Sequence, residues 1–123
     1  MGLFHITTRV AWTEAVAAGT YRAPSLDREG FIHFSGDAQW LRTANRFFRG
    51  QTGLVLLSIR EDRLQAGLLH ESADGELFPH LYGELNLDAV VDVFDLPLGS
   101  DGTIGLPGEL EPWAKYFTGN AQR

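Results

Sequence analysis

Short apolar stretches alternate with polar and glycine-rich stretches along the chain, and most apolar stretches have the two-residue period of a β-strand. This pattern predicts five or six short strands, which cover about residues 3–7, 31–35, 53–59, 68–72, 80–86 and 89–96. The stretch GLVLLSI at 53–59 is almost continuously apolar. Such a strand is buried on both faces, so we expect it in the middle of a sheet.

Two stretches carry the signals of helices. The first covers about residues 13–18, with Thr13 as its N-cap and alanines that favour a helix. The second follows Ser35 or Asp37, repeats apolar residues at helical spacing and ends at Gly50.

Together these elements predict an α+β protein with a small, mostly antiparallel sheet and two helices. Residues 21–30 are predicted as a loop because Pro24 interrupts them and Gly30 ends them. A second loop, rich in glycine and proline, follows the last strand, and a short helix with Pro112 in its first turn ends the pattern. We interpret residues 1–123 as one domain.

The composition argues against several classes of function. The 123 residues contain no cysteine, which excludes thiolate metal sites, thiol nucleophiles and disulfides, and which fits the cytoplasm. A net charge of -6 with scattered arginines argues against nucleic acid as a partner but allows a small anionic ligand. The longest apolar run, LVLL, is too short to cross a membrane, and the first residues lack a signal-peptide pattern. We expect a cytoplasmic monomer.

All four histidines fall in predicted strands: His5, His33, His70 and His80. Strand alternation puts three of them opposite an apolar face, namely His5, His33 and His80. Tyr82 shares the face of His80, whereas Leu81 points the opposite way, toward the expected core. If these strands are neighbours, their polar faces converge on one cleft, which is the usual form of a ligand site.

The motif FPHLYG at 78–83 opens the strand that carries His80 and Tyr82. Pro79 is expected at the first residue of this strand, where no ladder hydrogen bond is needed from it. Gly83 is expected where another element approaches the strand closely. We interpret His80 and Tyr82 as residues that contact a ligand.

Metal chemistry has weaker support in the sequence. No two histidines are closer than ten residues, and the helical pair of the His-Glu-x-x-His type is absent. We therefore expect no bound structural metal. A metal-dependent hydrolase built from separate strands, with His5, His33, His80 and Glu71 as its residues, stays open as an alternative.

The order of motifs resembles a known family. FHITT, AGTY, PSLDREGFIHFS, LVLLSI and HESADGELFPHLYGEL follow one another as in the bacterial family catalogued as domain of unknown function 952. The resemblance covers about residues 4–97, and the segment 98–123 lies outside it. It implies a fold similar to that of the ADP-ribosyltransferases, a small split β-sheet that grips NAD.

The resemblance also implies site residues. Active members of that superfamily use a histidine on the first strand, which corresponds to His5, and an aromatic residue on the second, where this chain has His33. A glutamate near the end of their sequences has no clean match here. His80 or Tyr82 occupies the equivalent strand, with Glu71 nearby. The implied catalytic set is His5, His33, His80 and Glu71.

A nucleotide-like ligand also needs hydrogen-bond donors and a flat apolar surface. The expected donors to the ligand are Thr7, Thr8, Arg9 and Ser35, and Tyr82 can stack on it. The first hypothesis is an ADP-ribosyl or phosphoribosyl transferase or hydrolase, for which NAD is a substrate and no resident cofactor is predicted. The second is a non-catalytic nucleotide-binding module in the same cleft.

Overall fold

The computed structural model describes residues 2–118. The strands of this range are β1 (Leu3–Thr8), β2 (Thr20–Tyr21), β3 (Ile32–His33), β4 (Ser35–Gly36), β5 (Leu54–Ile59), β6 (Gly67–Ala73), β7 (Glu76–Tyr82), β8 (Leu85–Asn86) and β9 (Val90–Asp95). The α-helices are α1 (Arg9–Ala18), α2 (Pro24–Glu29), α3 (Trp40–Phe47) and α4 (Ala114–Phe117). Single 3₁₀ segments cover Glu61–Arg63, Leu87–Ala89 and Gly108–Trp113. No helix within residues 2–118 is long and apolar enough to cross a membrane.

The strands form three sheets, and the pairings within residues 2–118 are antiparallel. One sheet has the order β4-β1-β5-β9, a second the order β3-β7-β6, and β2 pairs with β8. The first four residues of β5 are buried between β1 and β9, which confirms the central position predicted from the apolar run. The predicted α+β class with mostly antiparallel strands is confirmed.

Alternation along β1 divides the core into two clusters. Phe4 packs into the cluster that contains Trp40 of α3, whereas Leu3 belongs to the cluster on the other side of the sheet. His5 points to the side of Leu3. The C-terminal segment completes the first cluster, because the ring of Phe117 lies 5.7 Å from the rings of both Phe4 and Trp40, measured between centroids.

The first helix is longer than predicted. It begins at Arg9 instead of Thr13, because the side chain of Thr8 accepts a hydrogen bond from the backbone N–H of Ala11 at 3.0 Å. That bond satisfies one of the free donors at a helix start, which is the usual role of an N-cap threonine. The N-cap predicted at Thr13 is therefore wrong.

The loop predicted for residues 21–30 is also wrong, because α2 lies there. Pro24 is its first residue, a position where the missing N–H of proline is not needed and its fixed φ favours the helix. The predicted caps of α3 are wrong as well, since this helix begins only at Trp40. Ser35 lies in β4 instead, and the carboxylate of Asp37 accepts a hydrogen bond from a backbone N–H near the N-terminus.

The strand predicted for residues 80–86 is divided between β7 and β8. Because β7 begins at Glu76, Pro79 lies in the middle of this strand, and the prediction that it occupies the first position is wrong. The expected close approach at Gly83 is confirmed. A Cβ at this residue would lie 2.7 Å from the Cβ of Ala66, so a larger side chain would clash.

Candidate functional site

A cleft of about 930 Å³ opens between the four-stranded and the three-stranded sheets. Its walls come from β1, the start of α1, α2, β3, β4, α3 and the hairpin between β6 and β7. Six of the residues predicted as site residues line it: His5, Thr7, Thr8, His33, Ser35 and His80. The cleft is therefore where the structure brings most of the predicted set together.

Pro79 explains why this cleft exists between two sheets. The backbone N–H of Phe34 donates a hydrogen bond to the carbonyl oxygen of Pro79 at 2.9 Å. Proline has no N–H to return the second bond of a ladder pair, so the pairing of β3 with β7 ends there. The chain then leaves β7 and pairs with β1 as β4. This change of sheet places His33 and Ser35 along the same cleft.

His80 lies at the centre of a hydrogen-bonded and stacked group on β7. It stands directly across from His33 in the strand register. Its Nδ1 is 2.8 Å from Oε1 of Glu71, and the hydroxyl of Tyr82 donates to the same oxygen at 2.6 Å. The ring of Phe31 stacks on the imidazole with centroids 3.9 Å apart and planes 15° from parallel. Glu71 and Phe31 thus fix the position and tilt of the imidazole, and Tyr82 holds the carboxylate of Glu71.

The charges in this group decide which nitrogen of His80 is open. Hydrogen bonds from Tyr82 and His80 hold the pKa of Glu71 below its ordinary value, and Glu71 in turn raises the pKa of Tyr82. Since Glu71 is ionised, Nδ1 of His80 donates its proton to it. Within residues 2–118 the only fully buried side-chain polar atom without a partner is Nε1 of Trp40. Nε2 of His80, which makes no hydrogen bond there, therefore meets the solvent of the cleft.

His33 has a carboxylate partner of its own. Its Nε2 lies 3.0 Å from Oε1 of Glu29, the last residue of α2. This hydrogen bond is the main cause that lowers the pKa of Glu29 below its ordinary value. The side chain of His33 is about half exposed, and its ring meets that of His80 edge to face with centroids 5.4 Å apart.

His5 is buried in a network of neutral groups. The carbonyl oxygen of His33 can only accept, so Nδ1 of His5 carries the proton and donates to it at 2.6 Å. Nε2 then accepts from the hydroxyl of Tyr21 at 2.8 Å, and that hydroxyl lies 3.0 Å from Oγ1 of Thr7. Burial lowers the pKa of His5 from its ordinary 6.5 to about 4, and burial raises the pKa of Tyr21. The network is therefore uncharged near neutral pH.

The predicted ligand-binding residues have different positions. Ser35 lines the cleft, and no hydrogen bond within the described range uses its hydroxyl. Thr8 borders the cleft but caps α1. Arg9 does not line the cleft and forms an ion pair with Asp95 at 2.7 Å. Tyr82 is not part of the cleft wall, and its hydroxyl is bound to Glu71, the carboxylate partner of His80.

Three arginines line the cleft, and two of them are neutralised. Arg42 pairs with Glu76 at 3.0 Å and Arg46 with Asp74 at 2.9 Å, which ties α3 to the tip of the β6–β7 hairpin. Arg28 of α2 makes no hydrogen bond or ion pair within residues 2–118. It is the cleft arginine that is available to an anionic ligand.

The sequence did not point to Glu29, Tyr21 or Arg28. Tyr21 forms part of a strand of only two residues, and the other two lie in α2, which was hidden by its proline. One signal was present, since His33 comes four residues after Glu29, which is the last residue of α2.

The geometry of the histidines does not form a metal centre. No group of three or more histidine, aspartate or glutamate side chains within residues 2–118 is arranged to hold a metal ion. Both nitrogens of His5 are already engaged, so this residue has no lone pair left for a metal in the arrangement described.

One comparison with known proteins identifies a family. Residues 6–93 match the family described as "Protein of unknown function (DUF952)". No curated protein matches the chain. The chain is similar to the crystal structure of protein CC0527 from Caulobacter crescentus, with 37% identity and a TM-score of 0.80 over 86% of this chain and 95% of that one.

Two further structures of CC0527 give the same result. The crystal structure of a double mutant has 36% identity and a TM-score of 0.80 over 86% of this chain and 95% of that chain. The solution NMR structure has 34% identity and a TM-score of 0.74 over 90% and 95%, respectively. The family match over residues 6–93 confirms the resemblance to this family seen in the sequence motifs, and the chain belongs to the DUF952 family.

Proposed function

We propose that the protein binds a nucleotide-like ligand, NAD or an ADP-ribose derivative, in this cleft and that His80 transfers a proton during its conversion. One observation carries the proposal. Glu71 holds Nδ1 of His80, Phe31 covers one face of its ring, and its Nε2 opens to the cleft. A histidine that acts as a general acid or base needs this orientation, with a carboxylate on the nitrogen that does not meet the substrate.

The size and lining of the cleft support a ligand of nucleotide size. Its volume of about 930 Å³ is large for a chain of 123 residues, and small-molecule sites span roughly 300–1,000 Å³. Phe47 and Phe78 supply apolar walls on which a base can lie. Arg28 supplies a guanidinium, the group best matched to phosphate oxygens.

The proposal divides the histidines by role. The uncharged network of His5, Tyr21 and Thr7 forms a fixed wall that hydrogen-bonding groups of a ribose can meet. His80 does the proton transfer, and Glu71 keeps its tautomer fixed. A similarity to the ADP-ribosyltransferase superfamily is part of this proposal, and it is supported by the split between the sheets and by a histidine on the first strand.

Calorimetric titration with NAD and with ADP-ribose tests binding, and chromatography of nicotinamide tests turnover. We expect at least one of the two ligands to bind, and His80→Gln to lower turnover by roughly 100-fold or more. His70→Gln is the matched control, because it also replaces a histidine, but one that lies on the face of β6 opposite to Glu71.

The possible outcomes separate the hypotheses. Binding without release of nicotinamide would indicate a non-catalytic nucleotide-binding module. Failure of both ligands to bind contradicts the proposal.

A further inference from the structure

We infer that the cleft carries two proton-transfer groups instead of one, and that its substrate is a phosphate diester of a ribose, such as a nucleoside 2′,3′-cyclic phosphate. The inference rests on the proposed function in one respect, namely that a nucleotide-like ligand occupies this cleft. The observation that carries it is the second histidine. His33 is backed by the carboxylate of Glu29, as His80 is backed by that of Glu71.

The two histidine–carboxylate pairs are neighbours across β3 and β7. His33 and His80 stand opposite each other in the strand register, with ring centroids 5.4 Å apart. Each ring uses one nitrogen for its carboxylate, Nε2 in His33 and Nδ1 in His80, and no hydrogen bond within the described range uses the other nitrogen. Both side chains line the cleft. Each therefore has a nitrogen available to the same ligand.

The charges around the pair suit a division into acid and base. Hydrogen bonds to the histidines help to lower the pKa values of Glu29 and Glu71 below their ordinary range, so both carboxylates are ionised near neutral pH. Each ionised carboxylate can accept a hydrogen bond from its own ring, which leaves the second nitrogen of that ring to act as the acid or the base.

The chemistry of the leaving group decides between substrates. Release of nicotinamide from NAD breaks the bond between ribose C1′ and the ring nitrogen, and the electron pair neutralises the positive charge of that nitrogen. This leaving group takes up no proton, so one base is enough. The leaving group of a ribose phosphate diester is an alkoxide, which must gain a proton as it departs. A second histidine has a task only in the diester reaction.

In the inferred step, neutral His80 takes a proton from a water molecule while the water oxygen bonds to phosphorus. The bond from phosphorus to the ribose 2′ oxygen breaks, its electron pair stays on that oxygen, and protonated His33 donates the proton to it. The products are the 3′-monophosphate and a free 2′-hydroxyl. The two rings have exchanged protonation states, and solvent restores them.

Arg28 supplies the positive charge that this reaction needs. Negative charge develops on the phosphoryl oxygens as the water attacks, and a guanidinium that binds these oxygens stabilises it. Arg42 and Arg46 are held by Glu76 and Asp74, whereas Arg28 has no such partner within residues 2–118. We therefore assign this role to Arg28.

The test is hydrolysis of adenosine 2′,3′-cyclic phosphate by the full chain at several pH values from about 5 to 9. Chromatography measures the amount of the 3′-monophosphate that is formed. We expect a bell-shaped profile of kcat against pH for the parent protein. The titratable and charged groups that face the pair are Glu29 and Arg28 of α2, Glu71 of β6, Tyr82 of β7 and His5 of β1.

The variants distinguish a pair from a single base. His80→Gln and His33→Gln should each lower kcat by roughly 100-fold or more. The double variant should be little slower than the slower single variant, because residues that act as a unit are not additive. Arg28→Gln should lower kcat, while His70→Gln should keep the parental rate and pH profile.

Two results overturn the inference: no hydrolysis by the parent protein, or full activity in His33→Gln. Calorimetric binding of NAD or ADP-ribose separates this failure from failure of the proposed function. A protein that binds either ligand but leaves the cyclic diester intact keeps the proposed function and loses this inference. Should the buried His80 variant not fold, a melting curve shows it, and the exposed Glu29→Gln and His33→Gln variants then decide the result.

Discussion

His5 and His80 are equally deep in the wall of one cleft, with 8% and 5% of their surfaces exposed, but their partners differ in charge. His5 meets a backbone carbonyl and the hydroxyl of Tyr21, both neutral. His80 meets the carboxylate of Glu71. Burial alone disfavours a cationic imidazole, and for His5 it brings the pKa down to about 4. At nearly equal depth, the neutral partners of His5 and the carboxylate partner of His80 give the two imidazoles different chemical surroundings.

The largest expected effect on stability concerns Leu81, the residue that follows His80 in β7. Leu81 is fully buried on the opposite face of β7, and truncating such a leucine costs roughly 2–5 kcal/mol. We expect Leu81→Ala to lower the free energy of unfolding by this amount in urea denaturation. Leu77→Ala is the control, since this leucine shares the strand and the face but is 60% exposed. Equal stability of the two variants would mean that the side chain of Leu81 does not point into the core.

Acid should destabilise the fold through His5. His5 has a folded pKa of about 4 and an ordinary value of 6.5, so below pH 6.5 the unfolded chain binds a proton that the folded one does not. Stability is then lost as the pH falls from 6.5 to about 4, by roughly 3 kcal/mol in total. His5→Asn should have a shallower slope of unfolding free energy against pH in this window. Identical slopes for parent and variant would contradict the neutral network.

The tyrosines of the two networks give a third test. Tyr21→Phe removes the donor to Nε2 of His5 and leaves a buried acceptor without a partner, which costs roughly 1–3 kcal/mol. Chemical denaturation measures the loss. A variant as stable as the parent would show that the hydroxyl of Tyr21 is not needed to satisfy His5.

The smallest effect is expected for the other tyrosine. Tyr82 is 42% exposed, so Tyr82→Phe should lower the unfolding free energy by less than about 1 kcal/mol. The hydrogen bond from Tyr82 makes the largest contribution to the lowered pKa of Glu71. In this variant the carboxyl of Glu71 should therefore titrate at a higher pH, which NMR can follow. An unchanged titration of Glu71 would mean that its hydrogen bond with His80 is sufficient.

Local periodicity predicted the parts of the site that lie on long strands. Strand alternation predicts that the side chains of Leu81 and His80 lie on opposite faces of β7, and the apolar run of β5 predicts its central position. The same reasoning put His33 on the polar side of its strand. These features depend only on residues close together in the sequence, so they can be predicted from the local pattern.

The partners of the histidines could not be predicted in this way, because they come from other elements. Tyr21 is 16 residues from His5, and nothing in its surroundings indicates which side chain it meets. Arg9 pairs with Asp95, 86 residues away, at the surface and outside the cleft. Pro24 had two meanings, a break or a helix start, and only packing decides between them.

Phe117 lies well past residue 93, where the sequence match to the family ends, and yet its ring packs against Phe4 and Trp40. The stretch that identifies the family is thus shorter than the stretch that fills the core. A gene trimmed at residue 93 would still encode the family motifs, but the expressed chain would lack Phe117 and would leave an apolar surface open at Phe4 and Trp40. For recombinant production or for fusion to another domain, the cut belongs after Phe117 and not at the edge of the match.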